Sequence, residues 1–85
     1  MAEEKLINKE LVGRNIHYLR EKLDYTVEGM SEECDVSLNS VYKWQRGETL
    51  PTVEKLYQLS KMFSISVDNI LSVELSNVED EEIIR

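Results

Sequence analysis

The chain has 85 residues, which is enough for one domain with its own hydrophobic core and too few for two. Hydrophobic residues make up 41% of it, as in an ordinary soluble protein, and charged residues make up 32%, which excludes a membrane-embedded protein. No apolar run approaches the roughly 20 residues of a membrane-spanning helix. The N-terminus begins with acidic residues and lacks the basic and apolar regions of a signal peptide, so we expect a cytoplasmic protein.

The net charge of -7 opposes nonspecific binding to phosphate groups, because lysine and arginine supply that affinity. The charge is unevenly distributed. Residues 72–85 contain five acids against the single base Arg85, whereas residues 37–47 contain Lys43 and Arg46 and no acid. We therefore expect any contact with an anionic partner in residues 37–47.

Helical patterns dominate the chain, and no segment shows the sustained alternation of a strand, so we predict an all-α fold. The first helix is predicted from about Lys9 to Leu23. Its apolar stripe has spacings of four, three and four residues and consists of Val12, Ile16, Leu19 and Leu23.

The second helix is predicted from roughly Val27 to Cys34, with Thr26 as its N-cap. Gly29 inside it costs about 1 kcal/mol relative to alanine, which suggests a backbone that runs close to another helix. Cys34 is the only cysteine, so the sequence excludes an intramolecular disulfide. Its spacing from Met30 predicts a small buried side chain rather than a redox thiol.

A short turn at Asp35 separates the second helix from a third helix, which has Ser37 as its N-cap and stops at Gly47. Two short helices joined by a turn of three to four residues form a helix-turn-helix. The turn usually needs a left-handed residue, and aspartate tolerates that conformation better than most residues.

The third helix has two different faces. Leu38, Val41 and Trp44 recur every three residues, which predicts a buried stripe with Trp44 as a core anchor. Hydrogen-bonding groups cover the remaining surface and belong to Asn39, Ser40, Tyr42, Lys43 and Arg46. A helix that buries one face and offers polar groups on the other is typical of a DNA-reading helix.

Two further helices complete the predicted domain. After a loop at residues 48–52, the fourth helix runs from about Val53 to Phe63 with Thr52 as its cap, and Ser66 caps the fifth. The chain thus divides into an N-terminal extension (1–8), a helix-turn-helix domain (9–72) and an acidic C-terminal tail (73–85).

The tail allows two interpretations. The acidic run Glu79–Glu82 favours a solvated, disordered end. Alternatively, Val73, Leu75 and Val78 extend the fifth helix into a dimer contact or a site for a protein partner, with Ile83–Ile84 as a terminal anchor.

Short motifs follow one another in order from about residue 11 to residue 71. They are Ile16-x-x-Leu19-Arg20, Thr26-x-x-x-Met30-Ser31, Val36-Ser37-x-x-x-Val41-x-x-Trp44, Gly47-x-x-x-Pro51, Leu56-x-x-Leu59-x-x-x-Phe63 and Ile65-Ser66-Val67-Asp68-x-Ile70-Leu71. In this order and with these loop lengths, they resemble the Cro/C1-repressor type of helix-turn-helix domain, the XRE family. The resemblance implies a compact, five-helix, lambda-repressor-like DNA-binding domain with its helix-turn-helix at helices 2 and 3.

Three positions depart from the family pattern. Val27 stands where the family often has a phosphate-binding glutamine, which removes one expected backbone contact. Asp35 replaces the usual turn glycine, and Gln45 replaces a common glutamate.

The resemblance places helix 3 in the major groove, with helix 2 across the DNA backbone. By position, it implies that Leu38, Asn39 and Lys43 read bases. The asparagine suits adenine, the lysine suits guanine and the leucine suits a thymine methyl group. The residues suited to phosphate contacts are Thr26, Ser37, Ser40, Tyr42, Arg46 and Thr49.

Several of these residues have an alternative interpretation in which they do not contact DNA. Leu38 continues the spacing of the buried stripe and could be a core residue, while Tyr42 could cover the rim of the core. Asn39 and Ser40 could be merely solvated. Glu48, beside Thr49, would be repelled by phosphate unless it turns outward.

Enzymatic and metal chemistry have little support in the sequence. His17 is the only histidine and has no carboxylate pair at metal-binding spacing, and Cys34 has no base positioned to activate it. The three glycines are too widely spaced for a phosphate-binding loop. We therefore expect no enzyme, no metal and no cofactor.

Two functions remain. The first is a sequence-specific transcriptional regulator that binds double-stranded DNA as a homodimer on a palindromic operator, because one module of this size offers few base contacts. The second is a protein-interaction module of the same fold, such as an antitoxin or an anti-repressor, with weak or no DNA binding. The net charge and Val27 favour the second function, whereas the acid-free third helix opposes it.

Overall fold

The computed structural model describes residues 7–78 and contains five α-helices in the predicted order. They are α1 (Lys9–Lys22), α2 (Val27–Cys34), α3 (Leu38–Gln45), α4 (Val53–Phe63) and α5 (Val67–Ser72), followed by one turn of 3-10 helix at Leu75–Asn77. Residues 7–78 contain no strand, so the all-α prediction is confirmed, and α2 and α4 have the predicted bounds. Within this range, no helix combines the length and apolar character needed to span a membrane.

Each α-helix begins at a polar side chain that accepts backbone N–H groups of the first turn. The four predicted caps are confirmed, and they are Thr26, Ser37, Thr52 and Ser66. A fifth cap, Asn8, accepts the N–H of Glu10 at 2.9 Å and of Leu11 at 3.1 Å. Asn8 is thus part of the folded structure, although its position falls in the predicted N-terminal extension.

Left-handed residues end α2 and α3. Asp35 has a φ of 56° and Gly47 a φ of 77°, as expected for these two turns. The turn after α2 is closed by two hydrogen bonds: the Val36 N–H donates to the Ser31 carbonyl at 3.0 Å, and Ser31 Oγ donates to the Val36 carbonyl at 2.7 Å. These bonds fix the chain between the two helices of the helix-turn-helix.

The core is formed by the apolar stripes of all five helices. Its fully buried members are Val12, Ile16, Leu19, Met30, Cys34, Val41, Leu59, Ile70 and Leu75. Cys34 confirms its predicted place there, and burial raises the pKa of its thiol. Trp44 is 5% exposed and anchors α3 to this core, also as predicted.

Gly13, rather than Gly29, lies where two helix backbones come into contact. A Cβ on Gly13 would press against the Trp44 carbonyl and lie 2.7 Å from the Gln45 carbonyl oxygen, because α1 crosses the last turn of α3 with its backbone in contact. A Cβ on Gly29 would meet only its own helix cap, Thr26 Oγ1, at 3.1 Å. The prediction that Gly29 packs against another helix was therefore wrong.

Asn15 is the buried polar side chain of residues 7–78, with 1% of its surface exposed. Its Nδ2 donates to the Ile70 carbonyl at 2.8 Å and to the Val73 carbonyl at 2.6 Å. Its Oδ1 accepts the Leu75 N–H at 3.1 Å. The amide therefore satisfies three backbone groups at the end of α5 and in the turn that follows, where the helix leaves its last carbonyls unpaired.

The segment after α5 packs on the domain instead of leaving it. Leu75 is 1% exposed, and Val73 and Val78 are partly buried against the core. Leu75 is thus unavailable for the dimer contact considered above, and the packed structure continues past the predicted boundary at residue 72. The acidic run Glu79–Glu82 and the terminal Ile83–Ile84 lie outside the described residues.

An ion pair also ties this segment to α1. Arg14 donates from Nε and Nη2 to the two carboxylate oxygens of Glu74, at 3.2 Å and 2.9 Å. This hydrogen-bonded contact raises the pKa of Arg14 and lowers that of Glu74.

Candidate nucleic-acid interface

α3 buries one face and exposes the other. Val41 and Trp44 are buried, whereas Leu38 is 43% exposed, so the alternative that Leu38 belongs to the core is wrong. Asn39 is exposed and Lys43 is partly exposed. These two residues are four positions apart, which puts their side chains on one ridge of the helix with Cβ atoms roughly 6 Å apart. The structure therefore brings the three predicted base-reading residues to the surface of one short helix.

The hydroxyl groups predicted for phosphate contacts lie at the N-terminal ends of α2 and α3. Thr26 Oγ1 accepts the Gly29 N–H at 2.9 Å, while Ser37 Oγ accepts the Ser40 N–H at 3.1 Å. The Oγ atoms of Ser37 and Ser40 are also 3.1 Å apart. Because capping uses the oxygens as acceptors, Thr26 keeps a hydroxyl hydrogen as donor and the serine pair keeps one. Both sites combine such a donor with the partial positive charge of a helix N-terminus.

Arg46 is already paired in the free protein. Its Nε donates to Glu48 Oε2 at 2.7 Å, and about half of each side chain is exposed. The hydrogen bond raises the pKa of Arg46 and lowers the pKa of Glu48. The positive charge of nearby Lys43 also lowers the pKa of Glu48. Glu48 thus turns onto the arginine rather than outward. The two other phosphate candidates, Tyr42 and Thr49, are exposed.

The last turn of α3 is held on α1 by Gln45. Arg20 Nε donates to Gln45 Oε1 at 2.9 Å, and Arg20 Nη1 donates to the Tyr25 carbonyl at 2.9 Å. His17 Nδ1 lies 3.1 Å from the same Oε1 atom. This contact was not foreseen from the sequence, which marked Gln45 only as a departure from the family. It directs Gln45 toward α1 and away from the exposed ridge that carries Asn39.

In the first turn of α2, Val27 contributes a core contact where the family often has a glutamine that binds phosphate. Its side chain is 8% exposed and belongs to the core. The next residue, Glu28, is exposed and carries a charge that repels phosphate. Any phosphate contact at this end of α2 therefore depends on the Thr26 cap and the backbone N–H groups.

The described residues offer little for other chemistry. Residues 7–78 contain no group of three or more histidine, cysteine or acidic side chains that could hold a metal ion. His17 is exposed and lies 3.4 Å from Glu21 of the same helix. The buried Cys34 thiol donates to Met62 Sδ at 3.8 Å.

Comparison with known proteins defines the family. A family model described as helix-turn-helix matches residues 16–70. The HTH-type transcriptional activator BcrR of Enterococcus faecalis is 36% identical over 59 residues, which cover 69% of this chain and 29% of the relative. The HTH-type transcriptional regulator DicA of Escherichia coli K12 is 35% identical over 60 residues, which cover 71% of this chain and 44% of the relative.

A solved structure with the same fold is the crystal structure of the P22 c2 repressor protein in complex with a synthetic operator. Its TM-score is 0.68 at 33% sequence identity, and the match covers 72% of this chain and 92% of that one. The chain therefore belongs to the helix-turn-helix family of the Cro/C1-repressor type, as the sequence motifs predicted. It spans less than half the length of the curated relatives it matches.

Proposed function

We propose that the chain is a sequence-specific DNA-binding transcriptional regulator that docks α3 in the major groove. The observation that carries this proposal is the exposed, acid-free surface of α3, held on the core by Val41 and Trp44. The P22 c2 repressor, which has a similar fold at 33% identity, is described in complex with an operator. The matched relatives are named as transcriptional regulators and not as enzymes, and the proposal places this protein in the cytoplasm with the DNA.

Leu38, Asn39 and Lys43 are the proposed base readers. Asn39 can pair with N6 and N7 of adenine, and Lys43 can donate to O6 or N7 of guanine. Leu38 exposes an apolar side chain that suits a thymine methyl group. An α-helix with its side chains is about 10 to 12 Å in diameter, which fits the roughly 12 Å width of the major groove.

The proposed phosphate contacts surround these residues. Thr26, Ser37 and Ser40 offer hydroxyl donors at helix N-termini, while Tyr42, Arg46 and Thr49 offer exposed donors near the end of α3. Such contacts set the position of the protein on the duplex, whereas base contacts set the sequence.

A homodimer on a palindromic operator is part of the proposal. A single α3 reaches few base pairs, and the net charge of -7 leaves little affinity from the rest of the surface. Two copies on half-sites one helical turn apart would double the contacts. One matched relative is named an activator and another a repressor, so this fold serves both directions of regulation among the relatives.

The alternative function is a protein-interaction module of the same fold, such as an antitoxin or an anti-repressor. The net charge, the buried Val27 and the pairing of Arg46 with Glu48 favour it, since each weakens phosphate binding. The absence of acids from residues 37–47 opposes it, because a surface that mimics DNA would carry carboxylates there.

Selection of bound sequences from random duplex DNA, at low and moderate salt, separates the two functions. The regulator is expected to enrich a palindrome, and Asn39→Ala should then relax the preference at one base position by about 1 to 3 kcal/mol. A matched control is Asn77→Ala, which replaces an exposed asparagine in the 3-10 turn after α5. Failure of the wild-type chain to enrich any sequence would reject the regulator in favour of the interaction module.

A further inference from the structure

The outer face of α4 carries the two most exposed large hydrophobic side chains of residues 7–78. Val53 is 83% exposed and Tyr57 is 58% exposed. They are four residues apart and therefore lie one above the other on the same face of the helix. The core face of α4 consists of Leu56, Leu59 and Phe63. Val53 and Tyr57 therefore do not contribute to the core packing that holds α4 in the domain.

Opposite charges lie at the two ends of this face. Glu54 is exposed in the first turn of α4, and Lys61 is exposed in its last turn. The Lys61 ammonium group lies 5.1 Å from the centre of the Tyr57 ring, so the lysine stands beside the aromatic side chain. The order of groups along the helix is therefore acid and valine, then tyrosine, then lysine.

We infer that this face binds the same face of a second copy of the chain, with the two α4 helices antiparallel about a two-fold axis at Tyr57. In such a pair, residues at equal distances on opposite sides of the axis face each other. The two Tyr57 rings meet at the centre, and Val53 of one copy packs on the aliphatic part of Lys61 of the other. Glu54 then lies within one residue of the position opposite that lysine, so each end of the interface joins an acid to a base.

The length of α4 sets the strength of this contact. Eleven residues form a helix about 16 Å long, and a contact of that length buries less than the roughly 1,600 Å² of a standard stable interface. The dimer is therefore weak in free solution and is completed on DNA, where two adjacent half-sites raise the effective concentration of one copy near the other. The inference deepens the proposed function by naming the surface that joins the two copies.

Sedimentation equilibrium of the whole chain, up to about 1 mM, tests the surface without DNA. Tyr57→Ser is expected to weaken dimerisation about tenfold or more, because an aromatic residue at the centre of the interface is lost from both copies. Leu23→Ser is the matched control, since it removes a hydrophobic side chain that is 43% exposed at the end of α1, and it should leave the dimer unchanged. Equal effects of the two variants overturn the inference.

Charge reversal tests the antiparallel arrangement. Glu54→Lys and Lys61→Glu should each weaken the dimer, because each places like charges opposite one another, and the double variant should restore it. A double variant no better than the singles overturns the arrangement.

DNA binding separates this inference from the proposed function. Tyr57→Ser should bind a duplex with one half-site as tightly as the wild-type chain does and a duplex with two half-sites more weakly. If the wild-type chain binds no DNA, the proposed function fails while sedimentation still tests the surface. If it binds DNA but stays monomeric and gains no affinity from the second half-site, the surface and the homodimer both fail, while DNA binding through α3 stands.

Discussion

Replacing Glu48 with glutamine is expected to strengthen DNA binding. In the free protein, Glu48 Oε2 accepts a hydrogen bond from Arg46 Nε at 2.7 Å, so a phosphate must displace this carboxylate before it can bind the guanidinium group. The glutamate also carries a negative charge beside the proposed interface, which repels the DNA backbone. Glu48→Gln removes the charge, reduces the contact with Arg46 to a weaker hydrogen bond with a neutral amide, and leaves the size of the side chain unchanged.

The magnitude follows from the exposure of the pair. About half of each side chain is in contact with solvent, and exposed ion pairs are weak, so the affinity should rise about two- to fivefold. Freeing Arg46 for one more phosphate should steepen the plot of log affinity against log salt concentration by about 0.9. The gain should be equal for all duplex sequences, because phosphate contacts carry no base information.

Fluorescence anisotropy with labelled duplexes, over a range of about 50 to 200 mM salt, measures both quantities. Glu74→Gln is the matched control, because it removes an equal charge from a second glutamate–arginine pair, on the segment after α5. The reasoning is refuted if Glu48→Gln binds no more tightly than the wild-type chain. A gain that persists in full when Arg46 is also replaced by glutamine would show that the ion pair is not its cause.

Three further predictions concern the stability of the domain, measured by urea unfolding with the fluorescence of Trp44. Gly13→Ala should lower the free energy of unfolding by about 1 to 3 kcal/mol, because its Cβ would collide with two carbonyl groups of α3; a stability equal to that of the wild-type chain would contradict this contact. Asn15→Leu should cost about 2 to 4 kcal/mol, because it leaves three backbone groups without partners, and Leu75 should then lose its protection from hydrogen exchange. Glu74→Gln should be less stable than the wild-type chain at neutral pH and equal to it in strong acid. Arg14 holds the folded-state pKa of Glu74 below the unfolded value of about 4.3, so the stabilisation is complete above that value and is lost as the pH falls through the folded-state pKa; a difference that persists in strong acid would assign the stabilisation to another cause.

Most of the fold could be predicted because the information is local. A cap such as Thr52 acts on an N–H three residues later, and the turn at Asp35 needs only a residue that accepts a left-handed conformation. The spacing of Val41 and Trp44 likewise identified the buried side of α3. These features involve neighbouring residues or one helical period, so they are visible in a single sequence.

The contacts that could not be predicted join residues far apart in the chain. Gly13 meets α3 more than 30 residues away, and Asn15 pairs with backbone groups 55 to 60 residues away. Nothing in the local pattern distinguishes Gly13 from Gly29, or Asn15 from a solvated asparagine. The chain order also gave no sign that Leu75 returns to the core, since a single leucine among polar residues has no periodicity.

The candidate site was predictable in its location but not in its internal contacts. The structure exposes Leu38 and Asn39 and partly exposes Lys43 on α3, while their roles in reading bases stay predictions. The pairing of Arg46 with Glu48 depends on how the chain turns after α3, because it joins two residues across the left-handed Gly47. The positions of Arg46 and Glu48 in the sequence therefore do not show that their side chains pair.

Because Cys34 is buried, the rate at which a reagent labels its thiol reports how often the domain opens. The thiol has no exposed surface and lies between α2 and Met62 of α4, so a thiol reagent can reach it only after these helices separate. When closing is fast relative to labelling, the observed labelling rate is proportional to the fraction of molecules that are open. Comparing that rate with the stability from urea unfolding would show whether α2, which begins with one proposed phosphate contact, detaches from α4 before the rest of the domain unfolds.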